Sequence, residues 1–200
     1  MNTYFINGSD FTDFINRLIK SFPVIGPIAV EQLFSFAKLK NADDLRLDYD
    51  VTILPPKKAF FPPKQVILRF ENGKFEGTVN AKKQLLLGVH PYDIKAIAQT
   101  DFLFTENYED INYTAYRNAT TIVGSNIQAV SKRAFWGSIS HEVEASGHDA
   151  FLTKLDLSLE ISPDLKPEFK PDLKTDEDFN GYLFEVFSDK GKELLLFGQF

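Results

Sequence analysis

The chain has 200 residues, a length that suits one large domain or two small ones, and its 44% hydrophobic and 25% charged residues are ordinary for a soluble globular protein. Its formal net charge is −6, and its basic residues gather no further than pairs such as Lys57/Lys58 and Lys82/Lys83, which argues against a nucleic-acid surface. With no cysteine the chain has no disulfide, thiol nucleophile or Cys-ligated metal of its own; no apolar run nears the roughly 18 residues of a membrane span, and MNTYFINGSD lacks the basic-then-apolar order of a signal peptide, so a cytoplasmic protein is expected.

Ser9 or Asp10 is placed to N-cap a first helix, in which Phe11, Phe14, Ile15, Leu18 and Ile19 recur at helical spacing. Pro23 and Gly26-Pro27 should end it, and Pro27–Val30 and Leu33–Phe36 read as two short strands joined by a turn. Residues 41–50 are polar and read as loop. In LPPKKAFFPPKQVILRF two Pro-Pro pairs bracket Lys57 to Phe61. Each proline fixes φ and removes an amide donor, so an extended arm is expected, packed on the domain or on a partner by its two Phe. Gln65–Phe70 follows as a strand closed by a Glu71-Asn72-Gly73 turn.

The stretch Leu85–Val89 reads as a buried strand that enters a His90-Pro91-Tyr92-Asp93 turn and then an apolar-periodic helix. A further helix is expected at Asp110–Asn118 and a buried strand at Thr120–Val123, ending in Gly124-Ser125-Asn126. Strand, helix, helix, strand is βαβ-like order, so the 85–89 and 120–123 strands should pair in parallel. Residues 138–149 read as polar loop, and Leu152–Ile161 as a strand. The segment 162–181, with Pro163, Pro167 and Pro171 among charges, reads as an insertion or loop. Gly181–Phe187 is a last strand, and Asp189 caps a short helix through Leu196. LLLFGQF then marks either a docked tail or a point where more chain follows. The fold class is α/β, one domain over residues 1–200 with a βαβ-like centre and a mixed sheet; an α+β arrangement is the alternative.

Twenty Phe are conspicuous, in groups such as Phe34/Phe36, Phe60/Phe61, Phe102/Phe104 and Phe184/Phe187. They supply a core, and a second reading lets some of them cover a partner surface. Chemistry-bearing motifs are few. His141, Glu142, Glu144, His148 and Asp149 form the one His/carboxylate cluster, but its histidines are seven apart where a helical metal pair wants about four. A solvated loop is the better reading, with His141/His148 metal binding the weaker alternative. Gly-x-Gly-x-x-Gly, Walker and Gly-x-Ser-x-Gly sequences do not occur.

Several blocks occur in a family order: Gly26-Pro27, Pro-Pro-Lys-Lys-x-Phe-Phe-x-Pro at 55–63, Leu-Leu-Gly-Val-x-Pro-x-Asp at 86–93, Tyr-Arg-Asn at 116–118 before a strand and Gly124, Asp-x-x-Leu-Thr at 149–153, and a closing Phe-Glu-Val with Lys-Gly-Lys-Glu-Leu-Leu. Over nearly its whole length the chain resembles the N-terminal region of the iron–sulfur β subunits of soluble [NiFe] sulfhydrogenases and of the corresponding iron–sulfur subunit of anaerobic sulfite reductase. The resemblance implies an electron-transfer role beside other subunits of a redox complex, with one [4Fe–4S] cluster on four thiolates. At the implied ligand positions stand Tyr92, Ile127, Ala134 and Trp136, so no cofactor is expected in this chain and the site is expected to be vestigial. A docking or scaffold role follows, with binding of a small ligand at the 88–93 turn as the alternative. The resemblance also implies a C-terminal ferredoxin module carrying further [4Fe–4S] clusters; its Cys-x-x-Cys-x-x-Cys repeats do not occur in these 200 residues.

Overall fold

In a computed structural model, described over residues 2–132, 146–156 and 180–198, one seven-stranded mixed sheet organises the chain. Strand β1 (Asn2–Asn7) leads into helix α1 (Gly8–Ser21), followed by β2 (Val24–Val30) and β3 (Leu33–Lys38). A separate hairpin, β4 (Leu68–Glu71) and β5 (Lys74–Gly77), precedes β6 (Gln84–Val89), helices α2 (Pro91–Thr105) and α3 (Ile111–Ala119), and β7 (Thr120–Ser125). Strands β8 (Ala150–Asp156) and β9 (Asn180–Val186) and the short helix α4 (Asp189–Leu194) complete it. The strand order is β1-β9-β8-β7-β6-β2-β3. The β2–β6, β6–β7 and β7–β8 pairs are parallel, whereas the outer pairs are antiparallel. The α/β class and the parallel pairing expected of the central strands are both observed.

Both faces of the sheet are covered, which explains why β6 and β7 are apolar without strict alternation. On one face α1 buries Phe11, Phe14, Ile15 and Leu18 against Leu85, Leu87, Val123, Leu152 and Phe184. Each such side chain contributes about 2 kcal/mol of burial. On the other face α2, α3 and the Pro-Pro arm enclose Leu86, Val89, Ile94, Ile97, Tyr113, Ile122 and Phe60. Arg117 of α3 ties this face together: it pairs with Asp101 of α2 at 2.9 Å, donates to the Gly147 carbonyl at 2.8 Å, and lies over the Phe60 ring.

Several expectations are corrected. Residues 2–7, to which the sequence reading assigned no element, form β1, which pairs along its whole length with β9. Asn7, not Ser9 or Asp10, occupies the α1 N-cap, without a side-chain cap bond. Gly26-Pro27 lies inside β2. The β2–β6 ladder covers only Val24 and Ile25, so the missing amide of Pro27 costs no sheet bond there, and its carbonyl accepts from the Arg46 amide at 2.9 Å. The Pro-Pro arm is not extended. Pro56–Phe60 forms a 3₁₀ turn with Pro56 at its start, where proline has no bond to lose, and Phe60 and Phe61 turn inward onto Tyr113. The arm does pack on the domain, as expected.

Residues Gln65 to Ile67 stay outside the strand, and β4 gains an unexpected partner, β5, through the 71–73 turn. Ser188, not Asp189, caps α4, accepting from the Gly191 amide; the helix stops at Leu194 and passes to a 3₁₀ turn, Leu195–Phe197. That turn docks on α1, where Arg17 donates to the Phe197 carbonyl and Phe22 packs on the Phe197 ring. Of the Leu152–Ile161 strand, Ala150–Asp156 is observed as β8; the rest, and the 162–181 segment up to residue 179, lie outside the described residues.

Asp149, expected in a solvated loop, is a clamp. Its carboxylate accepts from the Ile122 amide at 2.8 Å and from the Ser188 hydroxyl at 2.6 Å, and its carbonyl accepts from the amides of Phe187 and Ser188. A Cβ on Gly191 would press into that same carbonyl. Replacing Asp149 by Ala leaves the Ile122 amide without a partner in the sheet and should cost about 3 kcal/mol in urea unfolding. Gly191→Ala should cost a comparable amount, whereas a loss under about 0.5 kcal/mol for either variant would mean a surface role.

Candidate functional site

The carboxyl ends of parallel strands are where an α/β sheet offers a ligand its crevice. Here β6 ends in a device built on Gly88. Its φ is +77°, and an added Cβ would lie 2.6 Å from the Leu47 side chain, so a larger residue is excluded both by strain and by space. The pairing with β7 shifts register between Leu87 and Val89, so one extra residue is accommodated as a bulge. Leu85 and Leu87 therefore face α1, while Val89 joins Leu86 on the α2/α3 side.

Tyr49 holds this bulge from below. Its hydroxyl donates to the Gly88 carbonyl at 2.9 Å and accepts from the His90 amide at 3.2 Å, and its ring stacks on the His90 ring at 3.9 Å and 5°. Pro91 at the first position of α2 then starts the helix with a preset φ. Tyr92 turns back, its hydroxyl 2.6 Å from His90 Nδ1 and donating to the Asp50 carbonyl at 3.0 Å. Tyr92 has one hydroxyl proton and gives it to Asp50. His90 Nδ1 must then carry the proton that bridges to Tyr92, leaving Nε2 as a bare acceptor. Among the described residues that Nε2 is buried without a partner. So is Ser125 Oγ, at the end of neighbouring β7, where the register sets Gly124 against Val89.

Burial governs the titrating groups. It pushes His90 down to about 4, against the charge of Asp50, and lifts Asp93 to about 6, against the charge of Lys57. Lys57 belongs to the Pro-Pro-Lys-Lys block and Asp93 to the Gly-Val-x-Pro-x-Asp block, so the fold brings the two most specific sequence blocks to one place.

Of the implied cluster positions, Tyr92 lies just past β6 and Ile127 just past β7, on the same edge of adjacent strands. Ala134 and Trp136 lie outside the described residues. So does His141. His148 is half-buried beside the rings of Phe151 and Phe187, and burial lowers its pKa. Among the described residues no three His, Asp or Glu side chains converge as a metal site. No described helix is long and apolar enough to cross a membrane. Tyr49, Asp50 and Ser125 were not singled out from the sequence; the apolar–polar alternation of Leu45-Arg46-Leu47-Asp48-Tyr49-Asp50 was the signal that Leu47 and Tyr49 turn inward there.

Among known proteins, the subunit beta of sulfhydrogenase 2 from Pyrococcus furiosus is 32% identical to this chain over 145 residues, 72% of the chain. The matched part is 43% of that protein, so the chain spans less than half the length of its relative. No protein-family profile matches the chain, and no solved structure does. That relative is a β subunit of the kind whose N-terminal region the motifs resemble.

The two perturbed groups act on stability with opposite sign. Asp93 holds its proton more tightly in the folded state, so its contribution is complete below about pH 4 and lost as pH rises through 6. His90 contributes above pH 6.5, and that is lost as pH falls towards 4. Asp93→Asn removes the first effect alone. It should stabilise the protein at pH 7 by about 2 kcal/mol and leave it near wild type at pH 4. Urea unfolding at both pH values checks this; a variant destabilised at pH 7 would show that Lys57 holds the carboxylate charged.

Proposed function

We propose that the chain belongs with the sulfhydrogenase β subunits and is a docking or scaffold domain of an electron-transfer subunit whose own [4Fe–4S] site has degenerated. The observation that carries this reading is the alignment with a sulfhydrogenase β subunit in a chain without a single cysteine. In this reading Tyr92, Ile127, Ala134 and Trp136 stand where the thiolate ligands stood. The geometry at Tyr92 supports it: the side chain is half-buried and anchored to His90 and Asp50, so the position is built into the domain. The electron carriers of the assembly then lie in other subunits or in a ferredoxin-type region outside these 200 residues, and the partners are subunits of a cytoplasmic redox complex.

Exposed apolar surface supports the docking part. In the β4–β5 hairpin the rings of Phe70 and Phe75 pack against each other, tilted by 41°, yet remain 65% and 71% exposed. On α2, Phe102 and Leu103 are 59% and 71% exposed. A second reading, a small-ligand site at the 88–93 turn, draws on the partnerless His90 Nε2 and Ser125 Oγ.

The vestigial site is tested by restoring it. A variant carrying Tyr92→Cys, Ile127→Cys, Ala134→Cys and Trp136→Cys, reconstituted anaerobically with iron and sulfide, should retain about four of each per chain and show visible charge-transfer absorption. The wild type treated alongside should stay colourless. A folded quadruple variant that binds no more iron and sulfide than the wild type would overturn the assignment of these positions.

A further inference from the structure

On the α1 side of the sheet, at the same carboxyl edge, a cleft of about 330 Å³ lies between the start of α1, the 42–48 segment, the residues after β7, and strands β8 and β9. Its size is at the lower end for sites that take a small organic molecule. Phe11 and Tyr182 line it as a stacked pair, ring centroids 4.0 Å apart. Arg46, Asp48 and Lys154 also line it. Arg46 Nε and Nη2 both bond the Asp48 carboxylate, at 2.8 and 2.7 Å, so these two charges are committed to each other. Lys154 is not: among the described residues its ammonium has no ion-pair or hydrogen-bond partner. The Asp48 carboxylate sits below its ordinary range chiefly because Arg46 donates to it, with burial opposing and the charge of Lys154 contributing. Gln128 completes the polar lining. Its Nε2 is buried and has no hydrogen-bond partner among the described residues, an uncommon state for a carboxamide donor in a folded protein.

One spare positive charge, one unsatisfied buried donor and an aromatic wall share one cleft in a protein of net charge −6. We propose that this cleft binds a small monocarboxylate with a flat apolar body: the carboxylate accepts from Lys154 Nζ and Gln128 Nε2, and the body lies on the Phe11/Tyr182 pair. A single negative charge matches the one cation of the cleft that has no partner among the described residues. A dianion such as a phosphate monoester would bring its second charge against Asp48. The site does not depend on the sulfhydrogenase reading, since none of its groups belongs to the 88–93 turn or to the implied cluster positions.

Benzoate and phenylacetate are the probes, with benzamide as the uncharged match of benzoate, titrated into the ¹⁵N-labelled chain at fixed chloride concentration. At least one carboxylate should give saturable shifts at Thr12, Gln128, Lys154 and Tyr182, and benzamide should not. Lys154→Met, at an exposed position, should weaken that binding by about tenfold or more, the loss of one charge-assisted hydrogen bond, and Gln128→Ala should weaken it independently. Where one variant loses its native amide dispersion, the other is read. The proposal is overturned by the absence of saturable shifts with both carboxylates, by equal shifts with benzamide, or by undiminished binding in a folded variant.

Discussion

A parallel strand buried on both faces can alternate its side chains only if both cores want the alternation, and at the end of β6 they do not. Leu85 and Leu87 serve the α1 core; continued alternation would send residue 89 there as well, away from the helix that must start immediately after it. The bulge at Gly88 inserts one residue and reverses the facing, so Val89 supports α2 while His90 is turned onto Tyr49. Only glycine satisfies the positive φ and the close approach of Leu47 together. The orientation of α2, the seat of the Pro-Pro arm against it, and the crevice at the strand ends all follow from that one backbone kink.

Around the kink the protein keeps polar groups in a dry place. Tyr49 satisfies the Gly88 carbonyl and the His90 amide that the bulge removes from the ladder, and burial keeps the imidazole neutral and protonates Asp93 more readily than in water. The opposed titrations of His90 and Asp93 flatten the response of the domain between pH 4 and 6. Such an arrangement suits a part that holds its shape beside partners more than one that switches.

The Phe content divides along the same lines. Phe11, Phe14, Phe36, Phe60 and Phe184 are core, whereas Phe70, Phe75 and Phe102 stand on the surface. The core reading therefore holds for the first group, while the second group is exposed. A hairpin of two four-residue strands carrying such side chains, outside the main sheet, has little of its own to hold it in water. The apolar hairpin and the cleft lie on different elements, so the proposed docking surface and the proposed ligand site do not share residues.

What the sequence by itself determined is local. Periodicity places α1 and α2 and continuous apolar runs place β6 and β7, each a signal carried within about 15 positions, and the order of these elements along the chain dictates the parallel pairing of the two strands. The motif order likewise pointed to the sulfhydrogenase β subunits, which the alignment bears out at the level of a relative. The Pro-Pro arm shows where this stops: proline rules exclude a central strand, but only the pocket beside Tyr113 decides that the arm coils into a 3₁₀ turn and buries Phe60. β1 was illegible because NTYFIN becomes a strand by pairing with residues 181–186, a contact that no window of sequence contains. The cleft residues Arg46, Gln128 and Lys154 and the groups beneath His90 come from segments tens of residues apart, each unremarkable alone. Long-range strand order brings them to one edge of the sheet, so the tertiary structure alone decided that they form sites.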